Sequence, residues 1–127
     1  MNTKNSKTSP YAFVKKPKYK NQKVEVDGEK YDSKKEAAYN AQLELLKNAA
    51  NPAQRVVKIE RQVKYDLLPK QDGERAVSYL ADFVVEFADG HIEIIDIKSD
   101  FTRKLPAYVL KRKMMLFFHG IKIKEVC

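Results

Sequence analysis

Cysteine, histidine and glycine are scarce in this chain of 127 residues. Its one cysteine, Cys127, excludes an internal disulfide and a cysteine-based zinc site. The two histidines, His91 and His119, are too few and too far apart for a zinc cluster or a histidine-centred catalytic triad. The four glycines form no glycine-rich phosphate loop.

Long apolar runs are also missing. No segment approaches the roughly 18 apolar residues that a membrane-spanning helix needs. The basic N-terminus lacks the apolar stretch of a secretory signal. We therefore expect no membrane partner, a reducing cytoplasm as the place of action, and a single domain with one core.

Positive charge dominates the composition. Lysine and arginine outnumber aspartate and glutamate by 25 to 17, for a formal net charge of +8. Residues 1–22 carry lysines but no acid, so we predict a flexible basic arm there and one domain over residues 23–127. Such an arm favours contact with nucleic-acid phosphates, and a solubilising tail is the alternative. The arm lysines predicted to contact DNA are Lys15, Lys16, Lys18 and Lys20.

The pattern of apolar residues predicts an α+β domain. A short hairpin at Asp27-Gly28 precedes a helix that begins with a capping box, Ser33 to Glu36. Strands are predicted over residues 56–68, 77–87, 91–98 and 121–126, with a second helix from Pro106 to Phe118 before the last strand. The order is α-β-β-β-α-β, a mixed central sheet flanked by helices. The side chains expected to face the core are Tyr39, Leu43 and Leu46 of the first helix and Ala107, Leu110, Met114 and Phe117 of the second.

The two central strands are joined by a three-residue loop, Ala88-Asp89-Gly90, that ends in glycine. This favours a type I turn closed by a left-handed residue, with Phe87 paired to His91. Counting the same number of residues away from the turn on each strand then places Asp82 opposite Asp96. Because side chains alternate, Lys98 shares the face of both aspartates. A two-residue loop would instead put Asp82 and Asp96 on opposite faces.

Opposed carboxylates repel one another on a sheet, so this pair needs compensation. A divalent cation would supply it, and oxygen ligands favour a hard ion such as Mg²⁺. The alternatives are a structural Asp-Asp-Lys ion network and two solvated carboxylates.

This arrangement resembles the PD-(D/E)xK nuclease superfamily, with Asp82 on the second strand and Asp96-Ile97-Lys98 on the third. Ala81 occupies the place of the superfamily's eponymous proline, which carries no chemistry. From about Asn21 to the C-terminus the chain is also similar to small phage and prophage proteins described as endonucleases related to Holliday-junction resolvases. The motifs that carry this second resemblance are N-x-K-x-x-x-D-G at residues 21–28, residues 31–37, Arg61-Gln62, Tyr79 to Phe83, and Lys111 to Lys113.

The resemblance implies a restriction-endonuclease-like core and a role for each matching residue. Asp82, Asp96 and the backbone carbonyl of Ile97 would bind Mg²⁺ or Mn²⁺. Lys98 would orient the attacking water or help to deprotonate it. Glu36 would reach the metal directly or through water, although it serves equally well as a helix cap. Gln62 would lie beside the metal.

The implied activity is that of a metal-dependent DNA endonuclease that acts on branched or otherwise structured DNA in phage recombination or DNA processing. The implied assembly is a homodimer in the bacterial host cytoplasm, because two strands must be cut. Lys111, Arg112 and Lys113 are further candidates for DNA contact, but successive helix positions fan over about 200° and cannot all point one way. A non-catalytic nucleic-acid-binding protein and a restriction-type, sequence-specific endonuclease remain the alternatives.

Overall fold

A computed structural model describes residues 24–26, 29–31 and 33–127. The predicted basic arm over residues 1–22 lies outside these residues. The chain divides into two compact units, of which the first ends at Ala37 and the second begins at Ala38, and the single domain expected over residues 23–127 stays a prediction. Within the described ranges no helix is long and apolar enough to cross a membrane.

The described elements follow the predicted α-β-β-β-α-β order after an N-terminal hairpin. Short 3₁₀ turns follow the first helix, at Leu46–Asn48, and precede the second, at Thr102–Lys104. The helices and strands are β1 (Val24–Val26), β2 (Glu29–Tyr31), α1 (Lys34–Leu45), β3 (Val56–Leu68), β4 (Val77–Phe87), β5 (Ile92–Ile97), α2 (Pro106–His119) and β6 (Lys124–Val126).

The central sheet has the strand order β3-β4-β5-β6. The pairs β3–β4 and β4–β5 are antiparallel, whereas β5–β6 is parallel. The expected α+β class with a mixed sheet is therefore confirmed. In the other unit, β1 and β2 form the expected antiparallel hairpin, with Val24 paired to Tyr31.

The last strand is shorter than predicted. Ile121, the first residue of the predicted strand, belongs instead to the C-terminal cap of α2. Gly120 adopts φ 67°, and its N–H donates to the Leu116 carbonyl. The N–H of Ile121 turns back to the Met115 carbonyl at 3.3 Å. These bonds close the helix in the manner of a glycine C-cap, so β6 begins only at Lys124.

The predicted turn and register between β4 and β5 are confirmed. The Phe87 N–H donates to the His91 carbonyl, and the Gly90 N–H donates to the Phe87 carbonyl, each at 2.9 Å. Gly90 adopts φ 96°, which is the positive value that the turn requires. Pairing then runs from Glu86–Ile92 to Phe83–Ile95, in the register that brings Asp82 opposite Asp96.

The strand β4 changes face at Asp82. Phe83 and Val85 pack with Leu43 of α1, whereas Tyr79 and Ala81 pack with residues of α2. Alternate residues of a regular strand share a face, so the exchange between Ala81 and Phe83 marks an irregularity.

The neighbouring strand β3 is irregular at the same level. Its pairing with β4 passes from Arg61–Phe83 to Val63–Ala81 and omits Gln62 opposite Asp82. Gln62 has φ 55°, and among described non-glycine residues it alone has a positive φ. Such backbone conformations are strained, at a cost of order 1–3 kcal/mol, and they concentrate at functional sites. Because both strands are irregular at Gln62 and Asp82, we regard this position in the sheet as a candidate functional site.

The predicted inner face of α2 is largely wrong. Tyr108 and Met115 are buried, whereas Leu110 is 58% exposed, Phe117 is 82% exposed, and Ala107 is exposed as well. Leu110 lies about 200° around the helix from Tyr108 and so points away from the sheet. Met114 is half-buried against the core, as expected. Apolar residues surround this helix, so their spacing does not select a face.

The predicted inner face of α1 is correct at Tyr39 and Leu43 and wrong at Leu46. Leu43 is buried and Tyr39 packs against the same cluster, with its ring centroid 5.6 Å from that of Phe83. Leu46 is exposed because α1 ends at Leu45 and the chain tightens into a 3₁₀ turn, which changes the direction of the side chains.

Candidate active site

The β4–β5 ladder ends where the two aspartates begin. Beyond the pair Phe83–Ile95, side-chain carboxylates accept the backbone hydrogen bonds. The Ile97 N–H donates to Asp82 Oδ2 at 2.8 Å, and the Asp82 N–H donates to Asp96 Oδ1 at 3.2 Å. Each carboxylate thus accepts a hydrogen bond from the backbone of the other strand. The register places the two carboxylates side by side.

Both carboxylates are withdrawn from water. Asp96 is 0% exposed and Asp82 is 9% exposed. Buried charge is costly unless it is paired and hydrogen-bonded. Lys98 Nζ lies 3.5 Å from Asp96 Oδ2, and the Tyr79 hydroxyl donates to the same oxygen. Asp82, Asp96 and Lys98 therefore meet in one patch, as the spacing predicted.

Tyr79 holds Asp96 in place. It is buried beside Ala81 and Tyr108, and its hydroxyl reaches Asp96 from β4. Burial raises the pKa of Tyr79 well above its ordinary value, and the hydrogen bond to Asp96 raises it further. The phenol thus stays protonated and serves as a hydrogen-bond donor. Sequence reasoning found Tyr79 within a motif but gave it no role.

Tyr108 of α2 contacts the lysine of the site. Lys98 Nζ lies 4.9 Å from the centroid of the Tyr108 ring, a cation–π distance. The Tyr108 hydroxyl donates to Glu125 Oε2 at 2.6 Å, and Arg112 Nη1 donates to the same oxygen at 3.0 Å. The ring that faces Lys98 is thereby anchored to β6.

Glu125 acts as a charged acceptor. Burial alone would raise the pKa of Glu125, but the hydrogen bonds from Tyr108 and Arg112 outweigh it, and the pKa is lowered overall. Burial, and then the bond to Glu125, raises the pKa of Tyr108. Neither residue was a sequence candidate, because the contact joins positions of no recognisable spacing.

The remaining catalytic candidates lie in different surroundings. Gln62 is half-buried at the register position opposite Asp82. Glu36 belongs to the unit that ends at Ala37, and the residue is buried. Its N–H donates to Ser33 Oγ at 3.2 Å, which is one half of the predicted capping box. The metal role of Glu36 stays a prediction.

The three basic residues of α2 do not share one environment. Arg112 is bound to Glu125, Lys113 is exposed, and Lys111 is half-buried. This agrees with the expected fan around the helix. The arm candidates Lys15, Lys16, Lys18 and Lys20 lie outside the described residues.

The donor set at Asp82 and Asp96 fits Mg²⁺ in kind and in number. This ion takes oxygen ligands, commonly one or two carboxylates, and completes its shell with water and substrate phosphate. Across residues 33–127 no group of three or more acidic, histidine or cysteine side chains converges for a metal. Two adjacent carboxylates are nevertheless sufficient for an ion bound together with a phosphodiester.

Residues 16–127 match the model of one protein family, described as "Protein of unknown function (DUF1064)". No curated protein and no solved structure matches the chain. The description of the family names no activity, so chemistry has to be argued from the residues themselves.

Proposed function

The chain belongs to the DUF1064 family, and we propose that it is a metal-dependent endonuclease that hydrolyses phosphodiester bonds in DNA. The observation that carries the proposal is the meeting of Asp82, Asp96 and Lys98 at the end of the β4–β5 ladder. Two carboxylates for a divalent cation and an adjacent ammonium are the groups that such a hydrolysis needs.

Asp82 and Asp96 would hold the cation, with the carbonyl of Ile97 as a further ligand. When bound, Mg²⁺ lowers the pKa of water and polarises the scissile phosphate. Lys98 supplies fixed positive charge next to the phosphate, where negative charge develops in the transition state. Tyr79 orients the Asp96 carboxylate, and the Tyr108 ring limits the positions open to the Lys98 ammonium. Gln62 would hold a water or a phosphate oxygen across from Asp82.

Branched DNA is the proposed substrate, and a symmetric homodimer is the proposed assembly. The net charge of +8 supports a polyanionic partner. Resolution of a junction requires two cuts, which two related active sites provide. The exposed Leu110 and Phe117 of α2 give an apolar face that a second copy could cover.

The test is cleavage of labelled four-way junctions, forked DNA and plain duplex by the purified protein, with Mg²⁺ or EDTA. We expect metal-dependent cutting of branched DNA that is abolished by Asp96→Asn and by Lys98→Ala. The exposed Lys64→Ala, on the edge strand β3, is the control and should cut normally. Binding without cutting on every substrate would contradict the proposal.

One observation favours a rival, a DNA-binding protein without catalysis. Both oxygens of Asp96 already accept hydrogen bonds, so the cluster could serve only to join the strands. A purely structural cluster predicts that Asp96→Asn binds DNA like the wild type and that neither protein cuts. A restriction-type enzyme instead predicts fixed cleavage positions on linear duplex.

A further inference from the structure

A groove lies between α2 and the edge strand β6, on the same face of the sheet as Tyr108. One wall is formed by residues of α2 and the other by the approach to β6 and β6 itself. The lining residues are Arg112, Lys113, Leu116, Lys122, Ile123 and Glu125.

The charge of this groove is positive. Its acid, Glu125, already accepts hydrogen bonds from Arg112 at 3.0 Å and from Tyr108 at 2.6 Å. Arg112 therefore offsets Glu125, and the exposed Lys113 and Lys122 remain as the surplus. Two lysines that line the same groove attract an anion, and they repel one another when it is absent.

The position of the groove relates it to the proposed active site. Arg112 follows Tyr108 by one helical turn, a rise of about 6 Å along the axis. The Tyr108 ring in turn faces the Lys98 ammonium. Phosphates of one DNA strand advance about 3.4 Å per nucleotide along the duplex. When a DNA strand presents one phosphate to Lys98, the phosphate about two nucleotides further along therefore lies at the level of the groove.

We propose that this groove binds a backbone phosphate of the DNA strand through Lys113 and Lys122, about two nucleotides from the phosphate at Lys98. The inference rests on the proposed function for its ligand, but it concerns binding alone. The inference adds Lys122 to the candidates for DNA contact. It also gives different roles to two neighbours on α2: Lys113 contacts DNA, whereas Arg112 positions Glu125.

The test is the salt dependence of DNA binding in EDTA, measured by fluorescence anisotropy with a labelled four-way junction and a labelled duplex. Each phosphate contact contributes about 0.9 to the slope of log K against log salt. Because the two lysines share one phosphate, Lys113→Gln with Lys122→Gln should lower the slope by about 0.9. The affinity of this variant should then fall about 3.5-fold less than that of the wild type between 50 and 200 mM salt. The matched control is Lys64→Gln with Lys70→Gln, which removes the same charge from exposed positions in and after β3.

Equal slopes for the two double variants would overturn the inference, as would the absence of salt-dependent binding by the wild type. Thermal unfolding of both variants is the control for folding, and the midpoints should match that of the wild type because the substituted side chains are exposed. The result is independent of catalysis. A lower slope in the groove variant alone, from a protein that cuts no substrate, would uphold the groove and reject the nuclease. Cutting with equal slopes would do the reverse.

Discussion

Replacement of Tyr79 by phenylalanine removes one hydroxyl group from the centre of the site. That hydroxyl donates to Asp96, whose side chain is fully buried, so no water can take its place. A hydrogen bond to a charged group contributes about 1.5–3 kcal/mol to stability. Leaving a buried acceptor without its donor costs the full desolvation penalty of that acceptor. Asp96 keeps the Asp82 N–H and Lys98. We therefore expect Tyr79→Phe to lower the free energy of unfolding by about 2 kcal/mol.

The assay is urea unfolding followed by circular dichroism, and the chain offers a matched control. Tyr65 pairs with Tyr79 across β3 and β4, is half-buried, and packs its ring 5.7 Å from that of His119. Tyr65→Phe removes the same oxygen and should change the free energy of unfolding by less than about 0.5 kcal/mol. In an Asp96→Asn background the loss from Tyr79→Phe should shrink, because the charged acceptor is gone. Equal losses at Tyr65 and Tyr79, or an unchanged loss in that background, would refute the reasoning.

Three other perturbations test the site, the strand beside it and the turn between β4 and β5. Gln62→Gly should be about 1 kcal/mol more stable than Gln62→Ala, because φ 55° disfavours any residue with a Cβ. At Lys64, in a regularly paired part of the same strand, alanine should be more stable than glycine. Mg²⁺ at a hundred times its dissociation constant should raise the free energy of unfolding of the wild type by about 2.7 kcal/mol and leave Asp96→Asn unchanged in a thermal scan. The pKa of His91, raised above 6.5 chiefly by the hydrogen bond with Asp89, should fall on Asp89→Asn in an NMR titration. Because the folded pKa is the higher one, the stability that His91 adds should be complete below pH 6.5 and lost as pH rises through the raised pKa. An unchanged His91 pKa in Asp89→Asn would reject this last assignment.

The central hairpin was predictable because its determinants are local. A loop of three residues with glycine last selects one turn, the turn selects the register, and the register brings Asp82 opposite Asp96. The confirmed bonds between Phe87, Gly90 and His91 are consequences of that short segment. This is why the sequence alone could bring the two aspartates and Lys98 together.

The supporting residues were not predictable, since they depend on contacts between distant segments. Tyr108 and Glu125 meet only after α2 has packed on β6. The apolar residues around α2 allowed several inner faces, and the one formed by Tyr108 and Met115 depends on that packing. The positive φ of Gln62 is equally hidden, because glutamine carries no preference for it.

The central claim is that Asp82, Asp96 and Lys98 form a metal-dependent nuclease site. Its most direct test is the single-turnover rate of cleavage of a labelled four-way junction in Mg²⁺ by the wild type and by Asp96→Asn, prepared in parallel. We expect the wild type to cut, EDTA to stop the cutting, and Asp96→Asn to cut at least about a hundredfold more slowly. Cutting at equal rates by both proteins, or by neither, would contradict the central claim.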